Sequence, residues 1–296
     1  MTFVGIDGVV HHVVVDGRGP LCVLSPGLGM CWFDWDPVVP LLAPHRTVVR
    51  FDRPGLGLSG RTRAWPTLAG EARRIAALLD TLGLDGPVTL VGHSLAGFHT
   101  EAFARLFPSR AAGLVLVDSS VEEDAHHRRV HAARHILTRA CGTLASAAGL
   151  SRVAGPALRR AAVRAGRVGG GEPAPYDLVR RAYSTSRWLH AALAENATYP
   201  DQAVALAALR QRVPLPAGLP VTVLACDDPR RPRHRREEWL ARQRALAALL
   251  DGTLRVSAPA GHLVMLDRPA DVADAVLHTR VRPLFAEGER AQGPAD

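Results

Sequence analysis

Residues 88–97 are Val88-Thr89-Leu90-Val91-Gly92-His93-Ser94-Leu95-Ala96-Gly97, and a helical pattern follows them from Phe98 to Leu106. An apolar run without polar alternation is typical of a strand that is buried on both faces. Small residues are needed where such a strand and the next helix approach closely, and the turn then lifts the serine hydroxyl to the top of the sheet. The segment therefore predicts a strand, a sharp turn at Ser94 and a helix.

Apolar runs of the same kind recur along the chain, separated by helical patterns. They are Leu21–Leu24, Thr47–Phe51, Leu114–Val117, Val221–Ala225 and Thr253–Val256. Ahead of them, Phe3–Val15 contains two alternating stretches joined by Asp7-Gly8, which predicts a β-hairpin. Apolar residues from Leu68 to Leu82 recur at helical spacing before Gly83. This alternation predicts an open, mostly parallel α/β sheet with helices on both faces.

The alternation of strand-like runs and helical patterns is interrupted between Val121 and about Pro216. In this interval Ala, Leu and Arg predominate, with breaks at Gly and Pro. This composition predicts a helical cap inserted into the sheet domain. We therefore expect a core formed by residues 1–120 and 217–285, a cap formed by residues 121–216, and a flexible tail at residues 286–296. The tail is expected to fray because its residues are small and polar.

Composition narrows the class of protein. The 296 residues are 47% hydrophobic and 22% charged, which is typical of a globular domain. Because the apolar runs stop short of the roughly 18 residues that a spanning helix needs, no membrane insertion is predicted. The first residues lack a basic segment before an apolar one, so a cytoplasmic location is expected. The four cysteines form no C-x-x-C pair, and neither a disulfide framework nor a metal site is predicted.

The net charge of +8 comes from arginine alone, because the chain has no lysine. Residues 122–216 contain 14 Arg against 7 Asp plus Glu, and more arginines follow at positions 230, 231, 233, 235 and 236. Such a surface favours an anionic or carrier-bound substrate, although arginines on solvated helices would give the same count. No nucleic-acid partner is expected, because no recognition motif accompanies the charge.

Three residues with catalytic side chains follow predicted strands in the order Ser, acid, His. Gly92-His93-Ser94-Leu95-Ala96 matches the nucleophile-elbow pattern G-x-S-x-G except at Ala96. The strand at Val221 ends in Asp227 and Asp228, and His262 follows the last strand in Pro259-Ala260-Gly261-His262-Leu263. A serine hydroxyl needs a base to become a nucleophile, and an acid to orient that base.

On these motifs, and on Asp52-Arg53-Pro54-Gly55-Leu56-Gly57-Leu58-Ser59, the chain resembles the α/β-hydrolase family over nearly its whole length. The resemblance implies Ser94 as nucleophile, His262 as base and Asp228 as orienting acid. Asp118, after the strand at Leu114, is the alternative acid, because some family members take it from that strand. The backbone N–H groups of Leu28 and Leu95 are the expected oxyanion donors, although Pro26 stands where the family commonly has His.

The expected activity is that of a serine hydrolase that cleaves a carboxylic ester or related acyl bond through an acyl-enzyme, with no cofactor or metal. Thioesterase, lactonase, C–C hydrolase and cofactor-free peroxidase activities would use the same residues. A non-catalytic ligand-binding protein is the alternative from another class. Epoxide hydrolases and haloalkane dehalogenases of this fold are disfavoured, because they attack with a carboxylate where this chain has Ser94.

Other histidines are weighed separately. His127, His131 and His135 fall at i, i+4 and i+8, with His126 adjacent, which is a spacing that binds zinc but also occurs on solvated helices. Without a second cluster at ligand spacing, no metal is predicted. His93 lies beside the nucleophile and is expected to pack or to hydrogen-bond.

Overall fold

A computed structural model describes residues 2–122 and 131–279 of the chain, and for residues 131–133 it describes the backbone only. Its sheet has eight strands in the order β1-β2-β4-β3-β5-β6-β7-β8. The strands are β1 (Thr2–Ile6), β2 (Val9–Gly17), β3 (Leu21–Ser25), β4 (Thr47–Phe51), β5 (Val88–His93), β6 (Ala111–Val117), β7 (Val221–Cys226) and β8 (Thr253–Ser257). The pairings of β1 with β2 and of β2 with β4 are antiparallel, and all the others are parallel.

Helices connect the strands. Those described are α1 (Val39–Leu42), α2 (Leu68–Thr81), α3 (Ala96–Leu106), α4 (His131–Ala147), α5 (Ser151–Gly166), α6 (Tyr176–Tyr183), α7 (Ser186–Arg212), α8 (Arg233–Leu249), α9 (Val264–Asp267) and α10 (Pro269–His278).

The predicted elements are confirmed at the positions that the local chemistry indicated. Asp7 and Gly8 both have positive φ, +49° and +74°, which suits the tight turn between β1 and β2. The side chain of Thr67 accepts a hydrogen bond from the Gly70 N–H and so caps the start of α2. Each predicted apolar run forms a strand of the sheet. The predicted mostly parallel α/β sheet is therefore correct.

The sheet is buried on both faces. On one face, apolar residues of the strands pack against α2, α3 and α8. On the other face they pack against α1, α9 and α10. Side chains of β5 alternate between the two layers, with Leu90 in the first and Val91 in the second. This explains why the strand sequences are apolar without alternation, and it fixes the carboxyl ends of β5–β8 along one edge.

The four helices α4–α7 lie between β6 and β7 in the chain, within the interval 121–216 predicted to form a cap. The division into core and cap stays a prediction, and the expected tail at residues 286–296 lies outside the described residues. Within the described part of the chain, no helix is both long enough and apolar enough to cross a membrane.

Buried polar contacts join α7 to α3. His99 Nε2 lies 2.7 Å from Gln202 Oε1, and both side chains are buried. Near the same junction, Glu101 accepts hydrogen bonds from Arg105 at 2.9 Å and from Arg210 at 2.6 Å. Burial, and then the charge of Arg53, lower the pKa of His99 to about 4. The folded protein therefore holds this histidine neutral.

The pKa of His99 predicts a pH dependence of folding stability. Below pH 6.5 the unfolded chain takes up a proton on this imidazole that the folded chain refuses until about pH 4, so stability falls as the pH falls through this window. Between pH 7.5 and 5 the loss is about 2 kcal/mol. In urea titrations at both pH values, His99→Gln should lose less stability than the wild type by about that amount. Equal losses in the two proteins would refute this account.

Candidate active site

Ser94 occupies the turn between β5 and α3 with φ +52°, in the left-handed region that residues other than glycine rarely adopt. Its N–H donates to the carbonyl of Val117, at the end of β6, over 3.2 Å. A side chain at Gly92 would collide with Thr100 and Ala96, and one at Gly97 would collide with Ser119. Gly97 is thus the glycine that allows the turn to approach the loop at Ser119. Position 96 does not have to fill that role and can be alanine.

His262 is held by the carboxylate that follows β6. Its Nδ1 lies 2.6 Å from Oδ2 of Asp118. The Asp118 side chain is buried and also accepts hydrogen bonds from the Cys226 N–H at 3.0 Å and the Trp239 indole at 2.8 Å. Burial alone would raise the pKa of Asp118, but the hydrogen bond and charge of His262, with the other donors, outweigh it and leave the pKa below its usual value. An ionised Asp118 leaves Nε2 of His262 available as a base.

The Asp228 carboxylate, which the sequence analysis expected to orient the histidine, has other partners in the structure. The Asp228 carboxylate instead accepts hydrogen bonds from Nε and Nη2 of Arg230 at 2.9 and 2.7 Å. The hydrogen bonding of the Arg230 side chain lowers the pKa of Asp228, and the Arg230 N–H and the charges of Arg230 and Arg231 act in the same direction. Arg230 also donates to the carbonyls of Arg164 and Ala165 at the end of α5. Asp228 therefore orients an arginine that joins the β7 loop to α5, and the alternative acid Asp118 contacts His262.

Ser94 and His262 are brought to the same edge of the sheet, although Ser94 Oγ makes no hydrogen bond with any residue that the structure describes. The rings of His93 and His262 have centroids 4.7 Å apart, and Ser94 directly follows His93. The His262 side chain is 35% exposed, so solvent or a ligand can reach the imidazole. Catalytic hydrogen bonds of serine are often long without substrate.

His93 supports the base rather than acting as one. Its Nε2 donates to the His262 carbonyl at 3.0 Å, and its ring packs against Gly27 so closely that any side chain there would collide with it. Burial, and then the charge of His262, lower the pKa of His93 to about 3. His93 thus stays neutral and links the histidine loop to the loop after β3. The predicted packing role agrees with this geometry.

The two expected oxyanion donors are free to bind a ligand. Within residues 2–122 and 131–279, neither the N–H of Leu28 nor that of Leu95 forms a hydrogen bond. Leu95 directly follows the serine, and Leu28 lies in the loop that contacts His93 through Gly27. Because backbone N–H groups are normally paired, unpaired ones at these two positions favour binding of an acceptor such as an oxyanion.

A buried ion pair that the sequence analysis missed holds this loop. Arg53 donates through Nε to Oε1 of Glu195, in α7, at 2.5 Å, and both side chains are buried. The same guanidinium donates to the carbonyls of Pro26 and Gly27, and Glu195 accepts from the Gly29 N–H at 2.8 Å. Burial alone would lower the pKa of Arg53, but Glu195 outweighs it and raises that pKa.

The remaining contacts explain what the glycine-rich turn at residues 52–59 does. The Asp52 carboxylate accepts hydrogen bonds from the backbone of Trp32 and Leu58 and bonds His12 at 2.9 Å, so it shapes the loop and stays away from His262. Trp188 of α7 donates its indole N–H to the Gly29 carbonyl at 2.9 Å. The available signal for the ion pair was an arginine inside this turn and one of the two acids in an alanine-rich helix.

The histidines at positions 126–135, for which no metal is predicted, lie only partly within the described residues. His126 and His127 lie outside the described residues, as does the side chain of His131. His135 stacks on Trp65, with centroids 4.0 Å apart. In the part of the chain that is described, no group of three potential metal ligands comes together.

Known proteins resemble this chain in sequence and in fold. The model of the "Alpha/beta hydrolase family" matches residues 22–275, which is most of the chain. The protein belongs to the alpha/beta hydrolase family. Curated relatives are matched over shorter stretches: a candidate carbamate hydrolase, RutD, of Caulobacter sp. strain K31 is 34% identical over 47% of this chain and 53% of that protein. The 2-hydroxy-6-oxo-2,4-heptadienoate hydrolase of Pseudomonas putida F1 is 37% identical over 38% of this chain and 41% of that protein.

These alignments span about half the length of the curated relatives, or less. Solved structures extend the similarity of fold to the full domain. Cfl2 of Burkholderia cenocepacia superposes with a TM-score of 0.71 and 22% identity, over 92% of each chain. A thermophilic esterase of Thermogutta terrifontis gives 0.67 and 23%, over 93% of this chain and 95% of that one. At such identities, the structural comparisons establish the alpha/beta hydrolase fold alone.

The Arg53–Glu195 pair predicts a large loss of stability on removing one charge. Glu195→Gln keeps the size of the side chain but leaves the buried guanidinium of Arg53 uncompensated, which should lower the free energy of unfolding by about 3 kcal/mol. The matched control is Asp177→Asn, which breaks an exposed pair with Arg180 and should change little. Urea unfolding measures both variants. Similar small effects of the two substitutions would show that the buried pair does not hold the loop.

Proposed function

We propose that this member of the alpha/beta hydrolase family is a serine hydrolase that cleaves a carboxylic ester or related acyl bond. Ser94 is the nucleophile, His262 the general base and Asp118 the acid that orients it. The observation that carries the proposal is the 2.6 Å hydrogen bond between His262 Nδ1 and Asp118 Oδ2, one residue beyond the carbonyl that holds Ser94. A buried acid that fixes a partly exposed imidazole beside a strained serine fits this chemistry.

The reaction follows from the roles of these groups. His262 Nε2 takes the proton from Ser94 Oγ as the oxygen attacks the substrate carbonyl, and Asp118 stabilises the imidazolium that forms. His262 then gives the proton to the leaving oxygen, and the acyl group remains on Ser94. In the second half, His262 activates a water molecule that attacks the acyl-enzyme, and the free serine is restored.

The negative charge of each tetrahedral intermediate falls on the former carbonyl oxygen. The N–H groups of Leu28 and Leu95 would donate to that oxygen. Neither N–H forms a hydrogen bond with the residues that the structure describes. Removing one such donor costs about 10²- to 10³-fold in rate in other enzymes. Arg53 and Glu195 contribute indirectly, because they fix the carbonyls and N–H groups on both sides of Leu28.

C–C bond hydrolysis is the second candidate. It is favoured by the similarity to the Pseudomonas putida hydrolase, whose name identifies a 2-hydroxy-6-oxo-dienoate substrate. The same residues would also serve a carbamate, the bond named for the Caulobacter relative. Since the nucleophile, base and oxyanion donors are shared, the substrate is chosen by the surface above Ser94 and not by the triad.

Three variants test the triad with a p-nitrophenyl ester. Ser94→Ala should lower kcat by about 10⁴- to 10⁶-fold. Asp118→Asn should lower it by about 10⁴-fold, because the imidazole is then held in the wrong tautomer. Asp228→Asn is the matched control for the acid and should lower kcat less than about tenfold, because it releases only Arg230. Circular dichroism checks that each variant is folded.

A greater loss in Asp228→Asn than in Asp118→Asn would overturn the assignment of the acid. Full turnover by Ser94→Ala would overturn the nucleophile. The bond type is tested with wild type on p-nitrophenyl esters, p-nitrophenyl carbamates and a 2-hydroxy-6-oxo-dienoate, each followed by absorbance. A kcat/KM for the dienoate that exceeds the ester value at least about a hundredfold would favour the C–C hydrolase.

A further inference from the structure

A groove lies beside the site, between the loop at residues 61–66 and the helices α4 and α7. Its volume is about 300 Å³. Its main lining residues are Arg61, Thr62, Trp65, Thr138, Arg139 and His190. A narrower pocket continues it inward, where Arg53, Arg187 and Glu195 form the wall. Ser94, Asp118 and His262 line neither cavity.

The carboxylates of the groove are already neutralised. Glu195 pairs with Arg53 at 2.5 Å, and Glu71 pairs with Arg74 at 3.3 Å. Both carboxylates are therefore unavailable to balance any further cation that lines the groove.

Arg61, Arg139 and Arg187 also line these cavities, and none of them pairs with a carboxylate of the residues that the structure describes. Arg61 donates to a serine hydroxyl at 2.8 Å. Arg139 and Arg187 each donate to a backbone carbonyl, at 3.0 and 2.8 Å. All three acceptors are neutral. Arg187 Nε is buried and makes no hydrogen bond with the described residues. Burial, and then the charge of Arg61, lower the pKa of His190 on the same wall. The groove thus carries an uncompensated positive charge.

The arginines at positions 230–236 behave differently. Arg230 and Arg231 face Asp228, and Arg236 pairs with Asp227 at 2.5 Å. Arg233 and Arg235 pair with glutamates of their own helix. Because this second group is balanced locally, it carries less uncompensated charge than the groove.

Trp65 gives the groove a flat apolar surface. Its ring stacks on His135 with an interplanar angle of 15°, and the Arg139 guanidinium lies 5.0 Å from its centroid. An aromatic ring bordered by guanidinium groups suits a ligand that has both a flat apolar part and a negative charge.

We propose that this groove is a binding site for an organic anion, a carboxylate or phosphate carried on a flat apolar group. Arg61 and Arg187 bind the anion through charge-assisted hydrogen bonds, for which the planar guanidinium is well suited. Trp65 contacts the apolar part. The site is separate from the triad, so binding does not require that Ser94 is reactive.

Isothermal titration calorimetry of the full chain tests this site with 1-naphthyl phosphate and 1-naphthoate as probes, and with neutral 1-naphthol as the control. Both anions should bind at least about tenfold more tightly than the naphthol, and more weakly in 0.5 M salt. Ser94→Ala should bind them as the wild type does. Equal affinity for anion and naphthol would overturn the proposal.

Substitutions locate the site. Arg61→Gln and Arg187→Gln should each weaken binding of 1-naphthyl phosphate about tenfold. The matched control is Arg180→Gln, which removes the same charge from a largely exposed cap arginine outside the groove. Unchanged affinity in Arg61→Gln, whose side chain is exposed, would overturn the assignment whatever the stability of Arg187→Gln. An equal loss in Arg180→Gln would mean that the anions respond only to net charge.

Discussion

The buried carboxylate of Asp118 is the constraint on which the arrangement of the site depends. It follows β6 with φ +42° and accepts donors from three other parts of the chain: the end of β7, helix α8 and the loop after β8. A buried ionised group is stable only when it is surrounded by such donors. The carboxylate therefore fixes Cys226, Trp239 and His262 relative to the strand whose end also bonds Ser94. The relative placement of Ser94, His262 and Asp118 follows from one satisfied charge.

Much of this could be predicted from the sequence, because the strands are apolar on both faces and the turns carry their own chemistry. Asp7-Gly8, the cap at Thr67 and the small residues around Ser94 each act locally, so the pattern determines the element. Ser94 and His262 were placed at the same sheet edge for the same reason. The family assignment followed from these motifs and the comparisons bear it out.

The choice of acid could not be made in this way. Asp118 and Asp228 follow adjacent parallel strands, so the periodicity of the sequence places both at the correct edge. What separates them is tertiary: Arg230 binds Asp228 and the end of α5, whereas the Trp239 indole reaches Asp118 from α8. The arginines that follow Asp228 were a signal, since a carboxylate flanked by guanidinium groups is easily neutralised. The Arg53–Glu195 pair could not be predicted from a local sequence pattern either, because its members are separated by 142 residues.

The helices inserted between β6 and β7 do more than cover the sheet. Through Glu195 and Trp188, α7 holds the loop that carries the Leu28 N–H, and through Arg230 the end of α5 is joined to the β7 loop. Helix α7 therefore fixes the backbone next to the N–H that is proposed to bind the oxyanion. The narrower pocket that continues the arginine-lined groove has the Arg53–Glu195 pair in its wall, so the proposed anion site is next to the loop that carries the Leu28 N–H.

The central claim is that Ser94 is an activated nucleophile. Intact mass after exposure to a fluorophosphonate probe tests it most directly, because the probe phosphonylates a serine only when a base and oxyanion donors are in place. The account predicts one adduct on the wild-type protein, located by peptide mapping on Ser94, and no adduct on Ser94→Ala under the same conditions. An unmodified wild-type protein, or an adduct that persists in Ser94→Ala, would contradict it.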